Sequence, residues 1–183
     1  MDETTGADVR GRVIVITGAM AAGKSTVAEL LADRLPKSVH VRGDAFRRMV
    51  INGRADMTPA PSPQASAQLE LRYDLAAHTA DQYAEHGFDA IVQDVIIGAN
   101  LPSFIERINS PDRFLVVLSP TVSALEWREE QRTKAGYVHF SPKVLDEVLR
   151  RETAHIGYWL DSSTQTPEET VADILANLEK ARV

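Results

Sequence analysis

With 183 residues, 44% of them hydrophobic and 25% charged, the chain has the length and apolar content for one domain with its own core. A formal charge of −6 repels a polyphosphate backbone at long range, so general nucleic-acid binding is not expected and any phosphate site must be local. The absence of cysteine excludes disulfides and thiolate metal sites and suits a reducing cytoplasm. The acidic start Met1 to Gly6 lacks the features of a secretory signal, and no apolar run approaches the ~20 residues that span a bilayer.

Short β-branched runs alternate with longer stretches of helical period, which predicts a parallel sheet with crossover helices. Residues 1–10 read as a flexible tail. Val13-Ile14-Val15-Ile16 is continuous rather than alternating, as in a strand covered on both faces. Val27, Leu30, Leu31 and Leu35 then form one face of a helix. Val39-His40-Val41 reads as a short strand, Ala45 to Ile51 as helical, and Gly53 to Pro63, with three prolines, as a loop. A long helix is expected from about Gln64 to Glu85, with Leu69, Tyr73, Ala76, Ala80 and Tyr83 on its stripe. Ala90 to Asp94 and Phe114 to Leu118 are further buried strands, and helices are expected from near Thr121 and from Ser141-Pro142. Tyr158-Trp159-Leu160 supplies a fifth strand, and Thr166-Pro167-Glu168-Glu169 opens a last helix with a capping box.

Gly18-Ala19-Met20-Ala21-Ala22-Gly23-Lys24-Ser25 fits G-x-x-x-x-G-K-[ST], and it stands between a buried strand and a helix, where the motif's mechanism requires it. Backbone N–H groups from Gly18 through Thr26, with a helix N-terminus behind them, are the expected nucleotide cradle. Lys24 is expected to reach the β- and γ-phosphates of ATP, and the Ser25 hydroxyl to coordinate Mg²⁺. The string Thr133-Lys134-Ala135-Gly136 lacks the aspartate of a guanine-binding motif, and Asp94 is followed by Val95 rather than the Glu of an ATPase motor. Small kinases remain.

Asp44 lies just past the second strand, at the carboxyl edge where ligands bind in open α/β sheets. It reads as a catalytic base or hydroxyl-orienting group, or as the N-cap of the following helix. Asp94, at the end of its strand, reads as a metal or substrate contact, or as a cap of the next turn. Arg128 and Arg132 share a helix face as candidate stabilisers of phosphoryl charge, unless they belong to a solvated face with Glu126, Glu129 and Glu130. Arg48, with Arg47 as its rival, is a candidate substrate contact. The five histidines show no metal-ligand spacing, and Trp127 and Trp159 are expected to pack, unless one of them lies near the base of the nucleotide.

The order of these parts resembles the chloramphenicol phosphotransferase-like group of P-loop kinases, with gluconate kinase and adenylylsulfate kinase as more distant relatives. The matching strings are Ile16 to Ser25, Gly43-Asp44, Gln93 to Gly98 and Glu126 to Arg132. The likeness covers nearly the whole chain and departs from the family at Met57 to Gln68. It implies one P-loop kinase domain with a five-stranded parallel sheet in order 2-3-1-4-5. It also implies Asp44 in the base position and a short lid over about 128–140 that holds Arg128 and Arg132. The expected activity is transfer of the γ-phosphate of ATP to a hydroxyl of an antibiotic- or sugar-like molecule. The rivals are a nucleoside-monophosphate kinase and a nucleotide-binding regulator with slow hydrolysis.

Overall fold

The computed structural model describes residues 10–131 and 140–183. Most of the tail expected over 1–10, most of the lid expected over 128–140, and Arg132 with it, lie outside the described residues.

Five parallel strands form one sheet in the order β2-β3-β1-β4-β5, as the resemblance implied. The strands are β1 Val13–Gly18, β2 Ser38–Arg42, β3 Asp89–Gln93, β4 Arg113–Leu118 and β5 Tyr158–Leu160. β1 is buried along its whole length and sits between β3 and β4, which explains its unbroken apolar run: neither face meets water. Helices surround the sheet: α1 Lys24–Arg34, α2 Gly43–Met49, α3 Pro63–Glu85, α4 Asn100–Glu106, α5 Val122–Glu130, α6 Pro142–Glu152 and α7 Pro167–Ala176. Among the described residues no helix is long and apolar enough to cross a membrane.

Local sequence fixes most helix starts. Ser62, Thr121, Ser141 and Thr166 each accept a backbone N–H as N-cap, and Thr166 with Glu169 closes the expected capping box. α3 packs through small residues, Ala65, Ala76, Ala77, Ala80 and Ala84, so its backbone comes close to the sheet. Tyr83, expected on that stripe, is instead 42% exposed and meets Phe88 edge-on. Tyr73 turns inward and meets Phe104 of α4 edge-on, with ring centroids 5.5 Å apart. The last helix is followed by a 3-10 turn, Leu178–Ala181.

Register is what builds the site. Ile16 pairs with Gln93 and Arg42 also pairs with Gln93, so β1, β3 and β2 end side by side. The residues that follow those ends, the glycine loop, Asp94 and Gly43-Asp44, therefore emerge together at one edge of the sheet.

Candidate active site

Between β1 and α1 the chain turns through Ala21 at φ 64° and Gly23 at φ 91°. The second value lies in the region that only glycine enters without strain, and Gly23 is also the N-cap of α1. Since Gly23 has no side chain to cap the helix, the first N–H groups of α1 are left to an anion. Lys24 is buried, and its Nζ donates to the carbonyl of Ala19 at 2.7 Å, curled over the loop it belongs to. Ser25 Oγ donates to Gln93 Oε1 at 3.2 Å. Lys24, Ser25, Thr26, Met20, Gln93 and Asp94 line a cavity of about 220 Å³.

Asp94 is buried at the back of that cavity. Its two oxygens accept a forked pair of bonds from Arg72 of α3, Nε to Oδ2 at 2.7 Å and Nη2 to Oδ1. Oδ1 also accepts the backbone N–H of Val95, which is the turn-capping bond foreseen as one alternative. Burial pushes this carboxyl's pKa upward, and Arg72 and Lys24 oppose the shift. The position has room only because residue 43 is glycine: a Cβ there would stand 2.0 Å from Asp94 Oδ2. Thr17 fixes the next segment to β1, giving its hydroxyl to the Ile96 carbonyl at 2.8 Å and accepting the Ile96 N–H at 2.9 Å.

Asp44 lies in the first turn of α2 rather than at its N-cap, which is Arg42. Its oxygens meet Arg47 Nε at 3.0 Å and Arg48 Nη2 at 2.9 Å. Arg47 also reaches Asp56, and these partners raise its pKa against the lowering effect of burial. Of the two neighbouring arginines, Arg47 lines the glycine-loop cavity, whereas Arg48 is largely exposed and lines none described here. Asp44 itself is outside that lining.

Arg128 projects from α5 towards the glycine loop. Nη1 donates to the Ala22 carbonyl at 3.4 Å and Nη2 to the Ser162 carbonyl at 2.6 Å. Burial lowers its pKa, with Asp161 opposing. Trp127, expected to pack, is 63% exposed beside it, while Trp159 stacks on His155 at 4.5 Å.

A second, larger cavity of about 440 Å³ opens beside the first, between α2, α3 and the segment after β3. Arg47 and Val95 line both. Its other walls include Phe46, Met57, Leu69, Tyr73 and Ile97, with Arg72. The stretch Met57 to Gln68, where the chain departs from the family it resembles, contributes Met57, Ala65 and Gln68 to this wall. The available signal was Arg72, a charged residue beside Tyr73 on the buried side of an otherwise alanine-rich stripe.

The fold is shared with solved P-loop kinases at low sequence identity. The APS kinase of Mycobacterium tuberculosis, solved with AMPPNP and APS, superposes with a TM-score of 0.70 at 20% identity, covering 93% of this chain and 98% of that one. A sugar kinase from Janibacter sp. gives 0.66 at 19% identity, over 93% and 96% of the two chains. A gluconokinase from Sinorhizobium meliloti gives 0.60 at 18% identity, over 95% and 94%. No curated protein matches the sequence. Residues 13–181, from the first strand to the C-terminal turn, match the AAA domain family AAA_33, and the chain belongs to that family of P-loop proteins.

Proposed function

We propose that the chain is a phosphotransferase that moves the γ-phosphate of ATP, with Mg²⁺, onto a hydroxyl of a small molecule. The observation that carries this reading is the junction of two cavities. One is lined by the glycine loop and the other is large enough for an organic acceptor, and they share Arg47 and Val95. A regulator that only hydrolyses nucleotide has no need of the second. The fold-level likeness to an APS kinase, a sugar kinase and a gluconokinase fits the same reading.

In this proposal the loop N–H groups and Lys24 hold the β- and γ-phosphates, and Lys24 exchanges its bond to Ala19 for the nucleotide. Mg²⁺, when bound, neutralises charge on the β- and γ-phosphate oxygens. A hard cation on a nucleotide takes most of its ligands from phosphate and water, and Ser25 Oγ, with Gln93 Oε1 next to it, fits the remaining need. Asp94, whose oxygens are engaged by Arg72 and the Val95 N–H, would help hold such an ion from the second layer of groups around it. The acceptor oxygen attacks the γ-phosphorus and the bond to the β,γ-bridging oxygen breaks. ADP leaves with the electron pair, and Asp44 orients the hydroxyl and takes its proton. Asp44, paired at rest with the cavity-lining Arg47, reaches the hydroxyl by exchanging that pair for it, and Arg128 holds the Ala22 carbonyl of the loop.

A nucleoside-monophosphate acceptor is less well served. Its phosphate needs several cations with charge to spare, and the nearby arginines are matched by carboxylates: Arg47 by Asp44 and Asp56, Arg48 by Asp44, Arg72 by Asp94. The narrower likeness to chloramphenicol phosphotransferases remains part of this proposal. Screening a panel of hydroxyl compounds by mass spectrometry should find ATP-dependent gain of one phosphoryl group on at least one of them. ATP hydrolysis that no acceptor accelerates or diverts would favour the regulator.

A further inference from the structure

Resting on the reading of the larger cavity as the acceptor site, we infer that the acceptor is an uncharged alcohol with a largely apolar body. Polyhydroxylated sugars, nucleotides and other anions are the classes it excludes. Two independent observations lead there.

The first is the lining. Phe46, Met57, Leu69, Tyr73, Ile97 and Phe140 give apolar surface to a wall around about 440 Å³, the size that encloses a drug-sized molecule. Apolar side chains also stay wet at its rim: Met49 is 68% exposed, Leu71 52% and Leu75 40%, and all three line the cavity. Large aliphatic side chains gathered around one opening present a surface that an apolar ligand would remove from water.

The second is the state of the polar groups in that wall. Gln68 looks like a hydroxyl reader but is already used: its Oε1 accepts the Ala55 N–H at 2.9 Å and its Nε2 donates to the Gly53 carbonyl at 2.8 Å, which ties the loop before α3 to that helix. Arg72 forks onto Asp94, and Arg47 lies between Asp44 and Asp56. Asn100 and Asp56 are the further polar groups of the lining, too few to pair a sugar on every side, so several of its hydroxyls would face carbon, unpaired and stripped of water, whereas a molecule with one hydroxyl and an apolar body loses less there. An anionic acceptor would have to pull an arginine from its carboxylate. The shared residues Arg47 and Val95 then set the orientation, with the hydroxyl at the glycine-loop end and the apolar body towards Leu71 and Leu75.

The test uses the full chain and a graded series of ω-phenylalkanols, from phenylethanol to phenylhexanol, with gluconate and adenosine monophosphate as polar comparators. Binding is followed by ligand-observed NMR in the presence of a non-hydrolysable ATP analogue. Affinity should rise about fourfold per added methylene until the cavity is full, and both comparators should bind more weakly than the longer alcohols. Leu71→Asp, at an exposed rim position that folding does not need, should weaken the longest alcohol by at least about tenfold while leaving analogue binding unchanged. Leu69→Asp should act in the same direction if its thermal midpoint shows that it folds. Tighter binding of gluconate or adenosine monophosphate, affinity indifferent to chain length, or a Leu71→Asp variant that binds like wild type would each overturn the inference. Length-dependent binding with no phosphate ester formed from any alcohol and ATP would count against the kinase reading while leaving the apolar ligand class supported.

Discussion

Asp44 is the residue on which the proposed chemistry turns, and a single substitution can separate a chemical role from a structural one. It is not the N-cap of α2, and its bonds go to side chains of its own helix, Arg47 and Arg48. Asp44→Asn keeps the shape and one acceptor oxygen but loses the proton acceptor. Steady-state kinetics should therefore show kcat lower by ~10²-fold or more with nucleotide affinity near wild type. Parallel loss of nucleotide affinity and thermal stability would return Asp44 to a structural role. Arg72 carries the opposite expectation. Removing one partner of a buried ion pair leaves the other charge uncompensated, so Arg72→Met should cost about 3–5 kcal/mol in denaturant unfolding. Adding Asp94→Ala should recover part of that loss, and a double variant no better than the single would show that Arg72 contributes by packing alone. What could be read at this scale was the glycine loop, because its backbone chemistry is written in contiguous residues. The choice of Arg47 over Arg48 could not be read, because it depends on which side of a two-turn helix faces the sheet edge.

Elements were legible where their signals were local. The buried strands are continuous apolar runs, and the starts of α5, α6 and α7 are marked by Thr121, Ser141 and Thr166. α4 passed unnoticed because Asn100-Leu101-Pro102 reads as a turn and its N-cap position, Ala99, offers no side-chain cap. Its burial of Leu101, Phe104 and Ile105 comes from tertiary packing, including the Tyr73 contact. Tyr83 and Trp127 failed for a related reason: an aromatic ring at helical spacing need not face the core. Between elements, Arg12 ties the start of β1 to β3 by donating its backbone N–H to Asp89 Oδ1 at 2.9 Å, with its guanidinium on both Asp89 oxygens. Burial alone would raise the Asp89 pKa, but the bonds from Arg12 outweigh it and the net direction is down. A depressed folded-state value gives stability that is full above the unfolded carboxyl pKa of about 3.9 and is lost as pH falls through the lower folded value. Asp89→Asn should thus lower Tm by about 2–4 °C near neutrality, since Arg12 is partly exposed. The gap to wild type should shrink in acid. A gap that stays constant from about pH 6 down to about pH 3 would contradict this origin for the clamp.

At the scale of the whole molecule, the sheet order and the gathering of β1, β2 and β3 ends were implied by the family resemblance, and the parallel registers account for them. The second cavity was not legible. Its walls come from α2, α3, the segment after β3 and residues Phe140 and Leu145, which are far apart in the chain, and apart from Arg72 on the alanine-rich stripe no local pattern marks them as facing a ligand. In the function proposed, these two adjoining spaces together transfer a phosphoryl group to carbon-bound oxygen. Phosphorus NMR of ATP with a mixed pool of small-molecule alcohols, run in parallel on wild type and on Lys24→Ala, tests it most directly. A phosphate-monoester resonance should grow with ADP in the wild-type sample, at a rate that falls by at least ~10²-fold in the variant. Conversion of ATP to ADP and inorganic phosphate alone, or rapid conversion of an added nucleoside monophosphate to its diphosphate with no ester from any alcohol, would contradict it.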